Sequence, residues 1–260
     1  MELLGYIAAI LMGLSLGLIG GGGSILTVPI LVYLFSVNPI IATSYSLFIV
    51  GATALFGSYL AYRKNEINLR MAFRFAVPSF IGVYTVKMIV LPLIPEDILS
   101  IQNFLLTKTV LVMGVFALLM VVASLAMINR KIRSEQEPND LKVTIQGFFV
   151  GSVTGFVGAG GGFLIVPALV NLLGLNMRSA IGTSLTIISL NSLFGFGLSM
   201  YQGLQVNWLL LFCILSVALI GLVIGFYYSN KISDMRLKKG FGYFVLIVGT
   251  IILIDQITKT

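Results

Sequence analysis

Histidine is absent from this 260-residue chain, and cysteine occurs once, at Cys213. These two absences exclude disulfide frameworks, zinc sites, haem ligation through histidine, and Ser-His or Cys-His nucleophilic catalysis. Charge is scarce as well. Only 10% of residues are Asp, Glu, Lys or Arg, against roughly 25% in a soluble domain. A water-facing surface of this size cannot be covered by so few charges, which excludes a soluble enzyme. No Asp or Glu lies deep in an apolar run, so a proton relay through the membrane has no evident carrier. No Gly-Lys-Ser/Thr follows the glycine-rich stretches, which excludes a phosphate-binding P-loop. No basic leader or small-residue cleavage pattern marks a secretory signal at the N-terminus, and residues 3–19 are read as part of the mature fold.

What is present is apolar. The hydrophobic share is 58% and the mean hydropathy is +1.06, as expected of a chain whose solvent is lipid. A spanning helix needs about 20 apolar residues, and six segments qualify: 41–62, 70–92, 104–128, 179–201, 207–229 and 241–256, the last of them short and at the chain end. Two further apolar stretches, 3–36 and 143–175, are broken by glycine clusters and read as pairs of short helices. The net charge of +7 comes from bases gathered between the apolar runs, which indicates topology more than nucleic-acid binding. Basic residues favour the cytoplasmic side. Arg63, Lys64, Arg70 and Arg74 place 63–74 inside, as Arg130, Lys131, Arg133 and Lys142 do for 129–142, and Lys231, Arg236, Lys238 and Lys239 for 230–239. The segments 93–103 and 202–206 carry no base and are placed outside. Both termini then fall outside, 41–62 runs inward and 179–201 outward. The stretch 3–36 begins and ends outside, and 143–175 begins and ends inside. Because 24–36 is too short to cross the hydrocarbon, a re-entrant hairpin is the expected form of each.

Self-comparison reveals a repeat. Gly13–Gly57 aligns with Gly151–Gly195 without a gap, at an offset of 138, with 19 identities in 45 positions. Repeated sequence and opposed charge placement together predict two inverted-topology repeats, an architecture of secondary transporters with the substrate site at the midplane. The expected fold class is therefore an all-α integral membrane protein of one domain, 1–260. Repeat one spans 1–128, a cytoplasmic linker 129–142 and repeat two 143–260. Each repeat comprises a glycine-broken re-entrant hairpin followed by three transmembrane helices.

The glycine clusters are the first candidate site. Gly20, Gly21, Gly22, Gly23 and Ser24 open a short helix that Pro29 bends; Gly158, Ala159, Gly160, Gly161, Gly162 and Phe163 precede Pro167 in the second repeat. Glycine allows a ligand to approach the backbone, and unpaired N–H groups at a helix start favour an anion. The competing reading is close helix packing, which the small-xxx-small pairs Gly13/Gly17, Gly151/Gly155 and Gly221/Gly225 already suggest. The second candidate is a polar stripe. Ser46 and Thr53 share a helix face, and their repeat mates are Ser184 and Asn191, with Tyr45 and Thr183 alongside. Interhelical hydrogen bonding is the alternative for each. Lys87 and Lys108 lie near predicted outer helix ends, where snorkelling to the interface is expected and attraction of anions is the other option. Trp208, beside Asn207, suits an interfacial anchor, and Cys213 suits apolar filling.

The paired GxxGGGGxxLxVPxLV-like segments, each followed by an A-x-x-T-S-L-like stretch at Ala180–Leu185 and more loosely at Ala42–Leu47, resemble the TauE/SafE sulfite exporter family over nearly the whole chain. The resemblance implies a bacterial or archaeal inner-membrane transporter of sulfur-containing anions such as sulfite, sulfoacetate or other organosulfonates. Tyr45 stands where the pattern has Thr, and the paired cysteines of related thiosulfate transporters are missing. The expected function is alternating-access transport of such an anion, held at the midplane by the glycine-rich helix starts with Ser46, Ser184 and Asn191. An anion channel and a membrane scaffold or accessory subunit are the alternatives. The expected partners are the small anion and the lipid bilayer, with a homodimer left open; no nucleic acid, metal or cofactor is expected.

Overall fold

The structure is a computed structural model, and it describes residues 2–21, 23–95, 97–101, 104–129, 140–157, 162–171, 174–229 and 234–258. Several sequence expectations fall outside these residues: Gly22, Gly158, Gly160 and Gly161 of the clusters, the linker bases Arg130, Lys131 and Arg133, and Lys231. The side chain of Phe163 is likewise outside.

The described chain is helical but for one short hairpin. Helix α1 (Glu2–Ile19) ends at Gly20, whose φ of +78° turns the chain. Helix α2 (Ser24–Pro29) follows. Pro29 has no N–H to donate, and the next turn, Ile30–Leu34, widens to i→i+5 bonds, including Phe35 N to Ile30 O at 3.3 Å. Helices α3 (Pro39–Arg63) and α4 (Leu69–Thr85) come next. A wide turn, Val86–Val90, extends α4 to the one-turn α5 (Leu91–Leu93). Strands β1 (Asp97–Ile101) and β2 (Phe104–Thr107) pair antiparallel. The segment expected to be helical from 104 therefore starts later, at Lys108, because 104–107 are paired in this hairpin. Helices α6 (Lys108–Asn129), α7 (Asp140–Val157), α8 (Gly162–Asn171), α9 (Met177–Tyr201), α10 (Trp208–Ser229) and α11 (Asp234–Thr258) complete the chain. Helix α11 is longer than the apolar segment 241–256, as a charged first turn precedes it.

Four described helices are long and apolar enough to cross a membrane: α3, the α4–α5 rod Leu69–Leu93, α9 and α10. Large apolar side chains face outwards along these rods, as Phe73, Val77 and Ile81 do on α4. In water such a stripe would be a liability; against lipid it is the proper surface. The pieces of the first glycine-broken stretch, Leu3–Ile19 and Ser24–Leu34, are shorter.

The helices pair across the two halves of the chain. Helix α3 lies antiparallel to α9, with Ser44 meeting Ser199 at one end and Ser58 meeting Thr186 towards the other. Helix α1 runs parallel to α10, and α4 parallel to α7, in seams where glycine admits the neighbouring backbone. A Cβ on Gly221 would strike Ile10 O and Leu14 N; one on Gly82 would strike Phe148 O and Ser152 N. These two sets correspond residue for residue, at offsets of 138 for α1 to α7 and 139 for α4 to α10. Gly57 against Leu185 and Leu222 likewise matches Gly195 against Leu47 and Val83. Helix α11 packs on α6, where Gly249 faces Met120 and Val121. The seams are lined by small residues because lipid supplies no hydrophobic drive between helices, leaving close van der Waals contact to hold them.

Caps recur in the same way. Asn38 Oδ1 accepts from Ile40 N at 2.9 Å to start α3, and Asn176 Oδ1 accepts from Ser179 N at 2.8 Å to start α9. Asn68 and Asn207 start α4 and α10 by accepting from Met71 N and Leu210 N. Each satisfies an N–H that would otherwise be unpaired at a helix start.

Candidate functional site

The tips of the two glycine-broken segments touch. A Cβ on Gly21 would overlap Gly162 O, and one on Gly162 would lie 2.8 Å from Gly21 Cα. No side chain fits between them, so both positions need glycine for approach. Gly20 packs on α9 at Ile181, and its carbonyl accepts from Ser184 Oγ at 3.2 Å. Gly23 packs against Met12 and Leu16 of α1, and Ser24 Oγ donates to Gly21 O at 2.8 Å. The first tip is thus folded on itself and held to α9.

The polar stripe divides by what each group already does. Ser46 is fully buried, and its hydroxyl has no partner among the described residues. Such a group normally has a partner, and none of the described residues supplies one. Ser184 Oγ also donates to Ile181 O at 2.8 Å, and Thr53 Oγ1 donates to Ile49 O at 2.6 Å. Asn191 Nδ2 donates to Ser79 Oγ at 2.6 Å and ties α9 to α4, while its Oδ1 has no partner among the described residues. Thr27 and Ser192 add two more buried hydroxyls without a described partner.

Tyr45 and Thr183 look away from the stripe, towards opposite ends of the bundle. Tyr45 OH donates to Gln205 O at 3.0 Å and accepts from Asn207 N at 2.8 Å. Thr183 Oγ1 accepts from Asn68 N at 2.9 Å. These repeat mates act alike, since each holds the backbone of the residue that caps the other half's next helix. The family pattern's Thr is therefore replaced by a Tyr that still reaches the equivalent N–H.

One cavity of about 300 Å³ opens at the end of the bundle that holds the α9–α10 loop. Its polar lining is Thr43, Ser44, Lys87, Lys108 and Gln202. The rest is apolar: Ile40, Leu91, Pro92, Val112 and Phe156. Phe156 lies two residues before Gly158, at the end of α7. Lys87 corrects the sequence expectation. Instead of snorkelling to the interface it is 4% exposed, and its ammonium donates to Ser199 Oγ at 2.5 Å and to Ser44 Oγ at 3.3 Å. The wide turn after Thr85 and the packing of α4 against α9 turn this side chain inwards. Ser44 Oγ donates to Ser199 Oγ at 3.0 Å, which in turn donates to Gly195 O at 3.1 Å. Gln202 Nε2 donates to Lys87 O at 2.8 Å. The signal in the sequence is a lysine within an apolar run. Its neighbours Ser44 and Ser199 lie far off in the chain, and only the α3–α9 seam brings them to it. Among the described residues no group of three or more His, Cys, Asp or Glu side chains is placed to hold a metal.

Trp208 stands half-exposed in an aromatic cluster, stacked on Phe212 at 5.9 Å between ring centres and edge-on to Phe48 at 5.7 Å. It closes the same end of the bundle, as an interfacial anchor would.

The family model described as "Sulfite exporter TauE/SafE" matches residues 5–252. A "Probable membrane transporter protein" of Xylella fastidiosa (strain Temecula1 / ATCC 700964) is 30% identical, over 94% of this chain and 91% of that protein. Another of the same name, from Xylella fastidiosa (strain 9a5c), is 34% identical over 68% of this chain and 66% of its own. "Probable membrane transporter protein YdhB" of Bacillus subtilis (strain 168) is 26% identical, over 94% and 96% respectively. With a lipid-facing helical surface, paired glycine tips and a match across nearly its whole length, this chain belongs to the TauE/SafE sulfite exporter family of membrane transporters.

Proposed function

We propose that this transporter carries a small sulfur-containing anion, such as sulfite, sulfoacetate or another organosulfonate, across the cytoplasmic membrane by alternating access. The observation that carries the reading is the meeting of the two glycine-broken tips at Gly21 and Gly162, between halves whose central helices α3 and α9 run in opposite directions. Interrupted helices at depth are tolerated where they are buried in protein or line a wet site. In inverted-repeat transporters the binding site sits where such helices converge. The two repeats, 1–128 and 143–260, interlock through their seams, so the bodies that rock each draw helices from both, and 129–142 is the cytoplasmic linker between the repeats. The anion binds next to the tips, with Gly20–Ser24, Gly158–Phe163 and the buried hydroxyl of Ser46 as donors. Ser184, Thr53 and Asn191 support the backbone around it, and Tyr45 and Thr183 hold the loops that cap each half. The bases at 63–74, 129–142 and 230–239 place those ends, and the linker, in the cytoplasm; both termini and the 300 Å³ cavity then face outwards. The sulfur class follows from the family name, and neutral donors suit a pyramidal or tetrahedral oxyanion.

The test is flux in proteoliposomes holding the purified protein alone. Uptake of labelled sulfite or sulfoacetate that saturates, with no unitary current in planar bilayers, is the expected result. Steady unitary currents would make it a channel, and no flux of any sulfur anion would leave the scaffold reading.

A further inference from the structure

The cavity at the α9–α10 end carries a charged cradle, and we propose that Lys87, set by Ser44 and Ser199, is its primary anion ligand. The inference rests on the transporter reading above but concerns a residue outside the glycine tips. Lys87 is almost wholly buried, and the partners of its ammonium among the described residues are two neutral hydroxyls. A buried charge without an opposite charge is costly. An ammonium also carries three donors, of which the serines take two. A mobile anion in the adjoining cavity supplies the missing charge and accepts the third. Lys108 lines the same cavity and adds positive potential that raises local anion concentration. The apolar part of the lining, with Val112 and Phe156, lowers the local dielectric and strengthens the attraction.

Comparison of the two halves singles out this cradle. The repeat mates of Ser44, Ser199 and Gln202 are Gly182, Ala61 and Lys64, and the mate of Lys87 is Phe226. At that end the equivalent space is filled. Gly182 backs onto Glu66 O and lies against Ala61, while Lys64 Nζ sits 4.2 Å from the centre of the Phe226 ring. The repeat therefore does not oblige a lysine at position 87. It is an addition to one end, where the cavity is open, and it gives the two ends different affinities for an anion.

The experiment uses the full-length protein in nanodiscs, with sulfite and sulfoacetate as probes in titration calorimetry and the flux assay run in parallel. K87M keeps length and removes charge. It is expected to weaken binding by about thirtyfold, the lower range for losing one partner of a buried charge pair, while melting no lower than the parent. Should K87M fold poorly, K87C in a C213S background serves. It is expected to lose binding and to regain it on aminoethylation, which restores an ammonium at the same reach. Unchanged affinity in K87M, or in K87C before modification, overturns the proposal and leaves the transporter reading intact. Binding that depends on Lys87 in a protein that moves neither anion supports the cradle and overturns transport.

Discussion

At the scale of single residues, the polar groups at the heart of the bundle fall into two kinds, and their substitutions separate. Tyr45 is a clamp whose hydroxyl bridges Gln205 O and Asn207 N. Its loss in Y45F removes the two hydrogen bonds that hold the α9–α10 loop. About 1 kcal/mol of stability is the expected cost, read as a lower melting temperature with transport affinity unchanged. Ser46 is the converse case. Its buried hydroxyl has no described partner, so S46A removes no hydrogen bond among the described residues. The expected result is an unchanged or slightly higher melting temperature with a several-fold rise in KM for the anion. Equal losses of stability and transport in the two variants would show that the stripe is structural throughout. The repeat makes both residues visible in the sequence but does not say which is the clamp and which the proposed anion donor. A hydroxyl's role is decided by what lies within about 3 Å of it. For Tyr45 and Thr183 that neighbour is a loop about 160 or 115 positions away along the chain.

At the scale of elements, glycine decides how close two helices come. In the α1–α10 and α4–α7 seams the neighbour is backbone, which cannot rotate away. Overpacking commonly costs about 1–3 kcal/mol, and a rigid carbonyl in the path puts G221V and G82V at the upper end, with loss of folded yield. Elsewhere the same residue type packs nothing. A Cβ at Gly114 or Gly197 meets no atom within 4 Å, and each lies inside a helix, where alanine is favoured by about 1 kcal/mol. G114A and G197A are therefore expected to raise the melting temperature, and thermal unfolding in one detergent compares all four. The small-xxx-small pairs make these seams legible in the sequence, because a spacing of four on a helix is a face. The wide turns after Pro29 and Thr85 and the β1–β2 hairpin are not legible there. A proline marks an interruption without saying how the backbone recovers its hydrogen bonds. The run 104–107 is as apolar as the helix that follows, so apolarity alone does not separate strand from helix. Lys87 departs from expectation for a related reason: linear distance from a helix end suggests snorkelling, while the widened turn and the α3–α9 seam set where the ammonium lies.

At the scale of the whole molecule, the question is whether the two halves move against one another. The contacts of the two halves correspond at offsets of 138 and 139 down to caps and left-handed turn residues. Asn65 at φ +56° matches Gly203 at +86°, and Ser36 at +53° matches Gly174 at +67°. Under the proposed alternating access, such correspondence is what would let two conformations of similar energy exchange the roles of the halves. Each seam takes one helix from each half, and the proposed rocking works across the central one, α3–α9. Ser58 Oγ and Thr186 Oγ1 lie 2.7 Å apart there, close enough for cysteines at these positions to bridge. With Cys213 replaced by serine, S58C/T186C is expected to oxidise readily, to abolish flux while bridged and to recover it on reduction, with anion binding retained in both states. A rigid pore would conduct equally in either state. Flux that survives a complete bridge would place the moving contact elsewhere, leaving α3 and α9 as a fixed axis about which the glycine tips act alone.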